Sequence, residues 1–186
     1  VESLLTASNI EGVEVIRASR ELALVEKALA GELSIETKLK RRLAQLFKVS
    51  QWDFVLIDTP PTLGILTINA LTAAQELLIP VATHVMSLSG VAQLIGTFQE
   101  VQEMLNPDLK ITGFVASRVD LRTRHAKEVL ESLKKSFGDQ VFSTIIRENI
   151  LLAEAPSFQE PIHLYRSKST AADDYRLLAN ELLLRD

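Results

Sequence analysis

The chain of 186 residues contains no cysteine. Disulfides, thiolate metal sites and cysteine nucleophiles are therefore excluded, and the composition fits a cytosolic setting. Glycine is scarce as well, and all seven, Gly12, Gly31, Gly64, Gly90, Gly96, Gly113 and Gly138, stand alone. Isolated glycines cannot build the backbone nest that wraps a triphosphate. No apolar run approaches the roughly 18 residues that a membrane span needs, and no signal peptide is visible. A soluble protein with no membrane partner is expected. His84, His125 and His163 are far apart in sequence and show no metal-ligand spacing, so each reads as a surface or loop histidine. The G-x-S-x-G elbow of serine hydrolases is also missing. A net charge of −4 and a pI near 5.5 exclude a uniformly basic nucleic-acid coat and leave room only for a local basic patch.

Apolar residues make up 47% of the chain, enough for a full core, and the length suggests one domain over 1–186. Short apolar runs alternate with amphipathic stretches. Strands are expected at 13–16, 54–57, 76–82, 111–116 and 141–146. Helices are expected at 20–29 (followed by a turn at Gly31), 36–49, 63–74, 91–105, 124–137 and 171–184, the last with Tyr175, Leu178, Ala179 and Leu182 facing inward. Apolar strands alternating with helices indicate an α/β fold, a mainly parallel sheet with helices on both faces.

In such sheets ligands bind at the carboxyl ends of the strands. The run Phe54-Val55-Leu56-Ile57 ends in Asp58, followed by Thr59-Pro60-Pro61. A charge at the tip of an apolar strand needs a cation, a donor or water. The two prolines force an extended exit, and Thr62 is placed to cap the next helix. This geometry would hold the Asp58 carboxylate at the rim, where it could orient magnesium or its water shell. An ordinary N-cap or loop aspartate is the competing reading.

Three stretches in order, DFVLIDTPPTLGILTINAL, NPDLKITGFVASRVDLRT and FGDQVFSTIIRENILLAEAPSFQEPI, resemble the ParA/Soj/MinD group of deviant-Walker ATPases that partition chromosomes and plasmids. The EAPS stretch, and the lack of a closing amphipathic membrane helix, favour ParA/Soj over MinD. The resemblance implies a P-loop NTPase-like fold with Asp58 as the catalytic and magnesium-binding carboxylate. It places the nucleotide base against Ser117, Arg118 and Asp120 on one side, and against Ile146, Arg147 and Asn149 on the other. A plain strand-to-helix turn capped by Asp120 explains the first group equally well. Many relatives carry a proline where this chain has Arg147. The resemblance also implies nonspecific DNA contact through Arg122, with Arg124 and Lys127 alongside. At a second DNA-contact position of the family this chain has Leu151, and the cluster reads alternatively as a solvated helix entry.

The family opens with a KGGxGKT-type phosphate loop and a downstream DxDPQ segment, and neither occurs here. The chain starts at Val1, and the expectation is that the N-terminal βαβ portion lies outside it, a degenerate relative that has lost this portion being the alternative. Residues 82–90 also depart from the family, which is usually acidic and aromatic there. The implied function is that of a partition ATPase that binds ATP and magnesium. It would form a homodimer, coat nucleoid DNA in the cytoplasm without sequence preference, and answer to a ParB-like or other stimulating partner. A nucleotide-free module that keeps the fold for DNA binding or dimerisation is the alternative.

Overall fold

The computed structural model describes residues 4–25, 29, 32–83 and 88–185. They fall into two compact units, one of Val1–Gln75 with Gln93–Leu109, the other of Glu76–Ala92 with Lys110–Asp186.

In the first unit, β1 (Leu5–Ala7) and β2 (Glu14–Ile16) pair antiparallel, with Leu5 opposite Ile16. Gly12 makes the turn between them at φ 76°, a left-handed conformation that glycine adopts without steric cost. Arg20–Leu24 forms a 3-10 turn, while 26–28 and Gly31 lie outside the described residues. Helix α1 (Lys38–Leu46) buries Leu43 and Leu46 and exposes its basic face. Helix α2 (Ile65–Ala73) is apolar nearly all round and accordingly buries Ala70 and Leu71 together with Thr67, Asn69 and Thr72. Asn69 ties the two helices: its Oδ1 accepts the Leu39 N–H at 3.1 Å, and its Nδ2 donates to the carbonyls of Ile35 and Ile65, each at 3.0 Å. At the far end of α2 the Asn106 amide donates to the Leu71 and Ala74 carbonyls, satisfying acceptors that the helix end leaves without an intrahelical donor.

The strand expected at 54–57 does not form. Phe54, Val55 and Leu56 are exposed, Leu56 to 88%, and among the described residues no strand pairs with them. An apolar run acquires strand geometry only by exchanging ladder hydrogen bonds, and here it has no ladder partner.

In the second unit β3 (Glu76–Ala82) and β4 (Lys110–Ser117) pair in parallel, as expected, from Glu76 opposite Lys110 to Ala82 opposite Ser117. Ile79, Val81, Phe114, Val115 and Ala116 are buried, and the consecutive run 114–116 shows that β4 is covered on both faces. The register slips between Leu77 and Leu78, opposite Gly113, which has φ 155°. A Cβ at Gly113 would collide with the Gln140 carbonyl and come within 2.8 Å of the Phe142 ring, so only glycine fits. Helix α3 (Leu88–Met104) joins the units in sequence. Helix α4 (Arg124–Phe137) buries Ala126 and Leu133, and Phe137 stacks on Phe114 with ring centroids 4.0 Å apart.

The expected strand at 141–146 is reduced to single parallel bridges, Phe114 with Val141 and Val119 with Arg147. Phe142 and Ile146 still donate to the carbonyls of Phe114 and Ala116. Between them, however, the N–H groups of Ser143 and Thr144 turn to the Glu181 carboxylate at 2.7 and 2.8 Å, which interrupts the ladder. Two short helices, α5 (Ile150–Glu154) and α6 (Ile162–Tyr165), precede the closing helix α7 (Thr170–Leu183). Its buried face is Ala171, Ala172 and Asp174, with Leu178 and Leu182 packed on Val115, Phe142 and Ile146. Tyr175 and Ala179, expected inward, are exposed, because the inward stripe runs through 171, 174, 178 and 182.

Candidate functional site

Asp58 lies in the first unit, exposed, at the end of the run 54–57, which has no regular secondary structure. No hydrogen bond or ion pair among the described residues engages its carboxylate. Thr62 does not cap the following helix: α2 begins at Ile65 with Gly64 as its N-cap, and the Thr62 carbonyl instead accepts the Thr67 hydroxyl at 2.6 Å. A single free carboxylate suits magnesium, which keeps most of its water and takes one or two protein oxygens. No group of three or more potential metal ligands occurs among the described residues, so an all-protein cage is not built there.

The residues expected around a nucleotide base lie together in the second unit. The tips of β4 and of the 141–147 segment are sewn together through Val119, whose N–H donates to the Ile146 carbonyl and whose own carbonyl accepts the Glu148 N–H, both at 3.1 Å. This brings Ser117, Arg118 and Asp120 beside Ile146, Arg147 and Asn149. Ser117 is half-buried and its carbonyl accepts the Thr83 N–H at 3.1 Å. Arg118 is exposed and left-handed at φ 52°, a conformation that costs a non-glycine residue about 1–2 kcal/mol and that must be held by its surroundings. Thr83, 1% exposed, supplies part of that hold through a hydroxyl that donates to the Arg118 carbonyl at 3.0 Å.

Most of the other side chains expected at this site are engaged structurally. Asp120 accepts the backbone N–H of Arg122 at 3.0 Å and, on one edge of its guanidinium, Nε and Nη2, each at 2.8 Å. The helix that follows is capped by Thr123, whose side chain accepts the Ala126 N–H, rather than by Asp120. Ile146 is a core residue at 5% exposure. Arg147 turns to Asp174 on α7, and Asn149 caps α5 while donating to the Thr170 hydroxyl at 3.2 Å. What this arrangement leaves toward a base is the Ser117 hydroxyl, the exposed Arg118 side chain and a rigid stretch of backbone.

The basic cluster is exposed, Arg122 on the turn before α4 and Arg124 and Lys127 in its first turn. Hydrogen bonding and the adjacent charge of Asp120 raise the Arg122 pKa above its ordinary value. Arg124 pairs with Glu128 at 2.7 Å, and Lys127 enters no ion pair among the described residues. Leu151 packs against Ile162, Ala171 and Ala172, so the position offers packing in place of a cation. In the EAPS stretch, Ala155 is buried, and Glu154 accepts the Tyr165 hydroxyl at 3.3 Å. Desolvation first, then the Glu154 charge and hydrogen bond, raise the Tyr165 pKa. His84 and the rest of 84–87 lie outside the described residues.

Sequence reasoning missed Thr83, Asp174 and Glu181. Thr83 carries no signal in the sequence. Asp174 is signalled only by a carboxylate on the apolar stripe of a helix, and Glu181 only by its place among the last residues of that helix.

A family model described as an AAA domain matches residues 1–111. The chain is similar to the sporulation initiation inhibitor protein Soj of Bacillus subtilis strain 168, at 41% identity over 98% of this chain and 71% of that protein. It is also similar to the chromosome partitioning protein ParA of Myxococcus xanthus, at 37% identity over 100% of this chain and 65% of that protein. Among solved structures it resembles cobyrinic acid a,c-diamide synthase from Mycobacterium smegmatis with bound ATP analogue and magnesium. That likeness has a TM-score of 0.81 at 34% identity, covering 98% of this chain and 66% of the other.

Proposed function

The chain belongs to the ParA/Soj family of partition ATPases, and from that premise we propose that its gene product hydrolyses ATP with magnesium to position a chromosome, plasmid or other cargo. The observation that carries the reading is Asp58, a carboxylate with no partner among the described residues, presented by an apolar run and two prolines ahead of a buried helix. Phosphoryl transfer asks the protein mainly for positioning and charge stabilisation. Magnesium, when bound, neutralises phosphate charge, and Asp58 would hold its water shell. Ser117 and Arg118, with the backbone of 146–149, would receive the base edge. The triphosphate needs a glycine-rich cradle that these residues do not contain, so the activity is proposed for a gene product that also supplies one.

Nonspecific DNA binding is the second part of the reading. Lys127 and the exposed guanidinium of Arg122 can meet phosphates without reading bases, and Arg122 would exchange the Asp120 carboxylate for a phosphate. ATP-dependent homodimerisation and a ParB-like stimulating partner complete the cycle by analogy with the family. The test is ATP turnover by the full-length gene product with magnesium and with chelator, in the presence and absence of duplex DNA. Turnover that needs magnesium supports the ATPase reading, and DNA binding without nucleotide binding would return the protein to a DNA-binding module.

A further inference from the structure

Asp174 is the one charged side chain in the core of the described residues, 3% exposed. All four hydrogen bonds described for its two oxygens come from one residue. The Arg147 backbone N–H donates at 3.1 Å, Nε reaches both oxygens at 3.1 and 3.0 Å, and Nη2 reaches Oδ1 at 2.5 Å. The pair is only half buried, with Asp174 enclosed and the Arg147 side chain 42% exposed, and such a pair is a poor source of net stability. What it does supply is geometry. Here the geometry is specific, because the same carboxylate fixes both the backbone and the guanidinium of Arg147.

Arg147 occupies the middle of the bridge that Val119 makes to the Ile146 carbonyl and the Glu148 N–H. Whatever sets Arg147 therefore sets the backbone of 146–148 against the Ser117–Asp120 turn. The same pairing turns the guanidinium toward α7. There it lines an open hollow with Leu121, Thr144, Ile145 and Leu177.

We propose that Asp174 is a positioning residue for nucleobase recognition: from α7 it holds Arg147 so that the backbone of 146–149 forms a fixed wall for the purine ring. The inference rests on the nucleotide-binding reading given above. Asp174 touches no ligand in this account and acts only through Arg147.

The test uses the full-length gene product, Asp174→Asn, and equilibrium binding of ATP, GTP and inorganic tripolyphosphate, which has phosphates and no base. Loss of the charge-assisted bonds is expected to weaken ATP by about tenfold, narrow the preference for ATP over GTP, and leave tripolyphosphate unchanged. Equal weakening of ATP and tripolyphosphate would mean a general loosening of the fold and would overturn the proposal, as would unchanged ATP affinity and base preference. Should the single variant fail to fold, the pair Arg147→Gln with Asp174→Asn removes both charges together, and the same selective loss of ATP is expected. A parent protein that binds neither ATP nor tripolyphosphate would sink the nucleotide reading itself. A parent that binds both, with a variant that behaves identically, would sink only the role of Asp174.

Discussion

The Thr83 hydroxyl donates to the Arg118 carbonyl at 3.0 Å, and so the tip of β3 holds the left-handed residue at the tip of β4. Thr83→Val keeps the shape and the backbone bond to Ser117 but leaves the Arg118 carbonyl without this donor. Urea unfolding of the full-length protein should show a loss of about 1–2 kcal/mol, with Thr83→Ser close to the parent. Equal stability of the parent and the valine variant would remove Thr83 from the account.

Glu181 gives a pH signature. Burial pushes its carboxyl up, but hydrogen bonds from Thr144 and Ser143 outweigh this and lower its pKa from 4.5 to about 2. A carboxylate with a depressed folded pKa contributes stability above its unfolded pKa and loses it as pH falls through the folded value. The parent should therefore lose this contribution between about pH 4.5 and 2. Glu181→Gln should be less stable at neutral pH by about 1–3 kcal/mol, and the gap should close across that acid window. A gap that stays constant with pH would show that the charge is not what the two N–H groups recognise.

DNA contact is tested by salt. Lys127→Ala with Arg122→Ala should weaken binding of the ATP-loaded full-length protein equally on unrelated duplexes. The log-log salt slope should flatten by about one unit per lost contact. An unchanged slope would return both residues to a solvated helix entry, and sequence-selective loss would mean that bases are read.

The 186-residue chain by itself should turn over no ATP, because none of its seven glycines adjoins another to form a phosphate cradle. Magnesium-dependent hydrolysis by this chain alone would show that phosphates are held in some other way.

The fold was legible where a segment's own periodicity decides its structure. Strand β3 and helix α4 occur at the residues expected, and β4 within one residue at each end, because their apolar patterns are strong and their partners are present. The run Phe54–Ile57 reads equally well as a strand but forms none, and its first three residues are exposed, because a strand is a property of a pair and no strand among the described residues pairs with it. The 141–146 segment was misread for a different reason: Glu181, some forty residues away in sequence, takes two of its N–H groups. Such long-range side-chain acceptors leave no local trace. At the candidate site, residue types were legible and their engagements were not. Asp120 was expected at a base edge and is chelating Arg122, and Arg147, expected at the ring, is held by a carboxylate on α7, whose expected inward face was Tyr175, Leu178, Ala179 and Leu182.

The most direct measurement is magnesium-dependent ATP turnover by the full-length gene product and its Asp58→Ala variant, with unfolding curves of both. Asp58 is exposed at the end of an irregular run and contributes little packing, so the variant should fold with the parent's stability to within about 0.5 kcal/mol. Turnover should fall by about a hundredfold or more, and magnesium should no longer strengthen nucleotide binding. A folded variant that hydrolyses ATP at the parent rate would contradict the placement of the catalytic carboxylate, and with it the central claim.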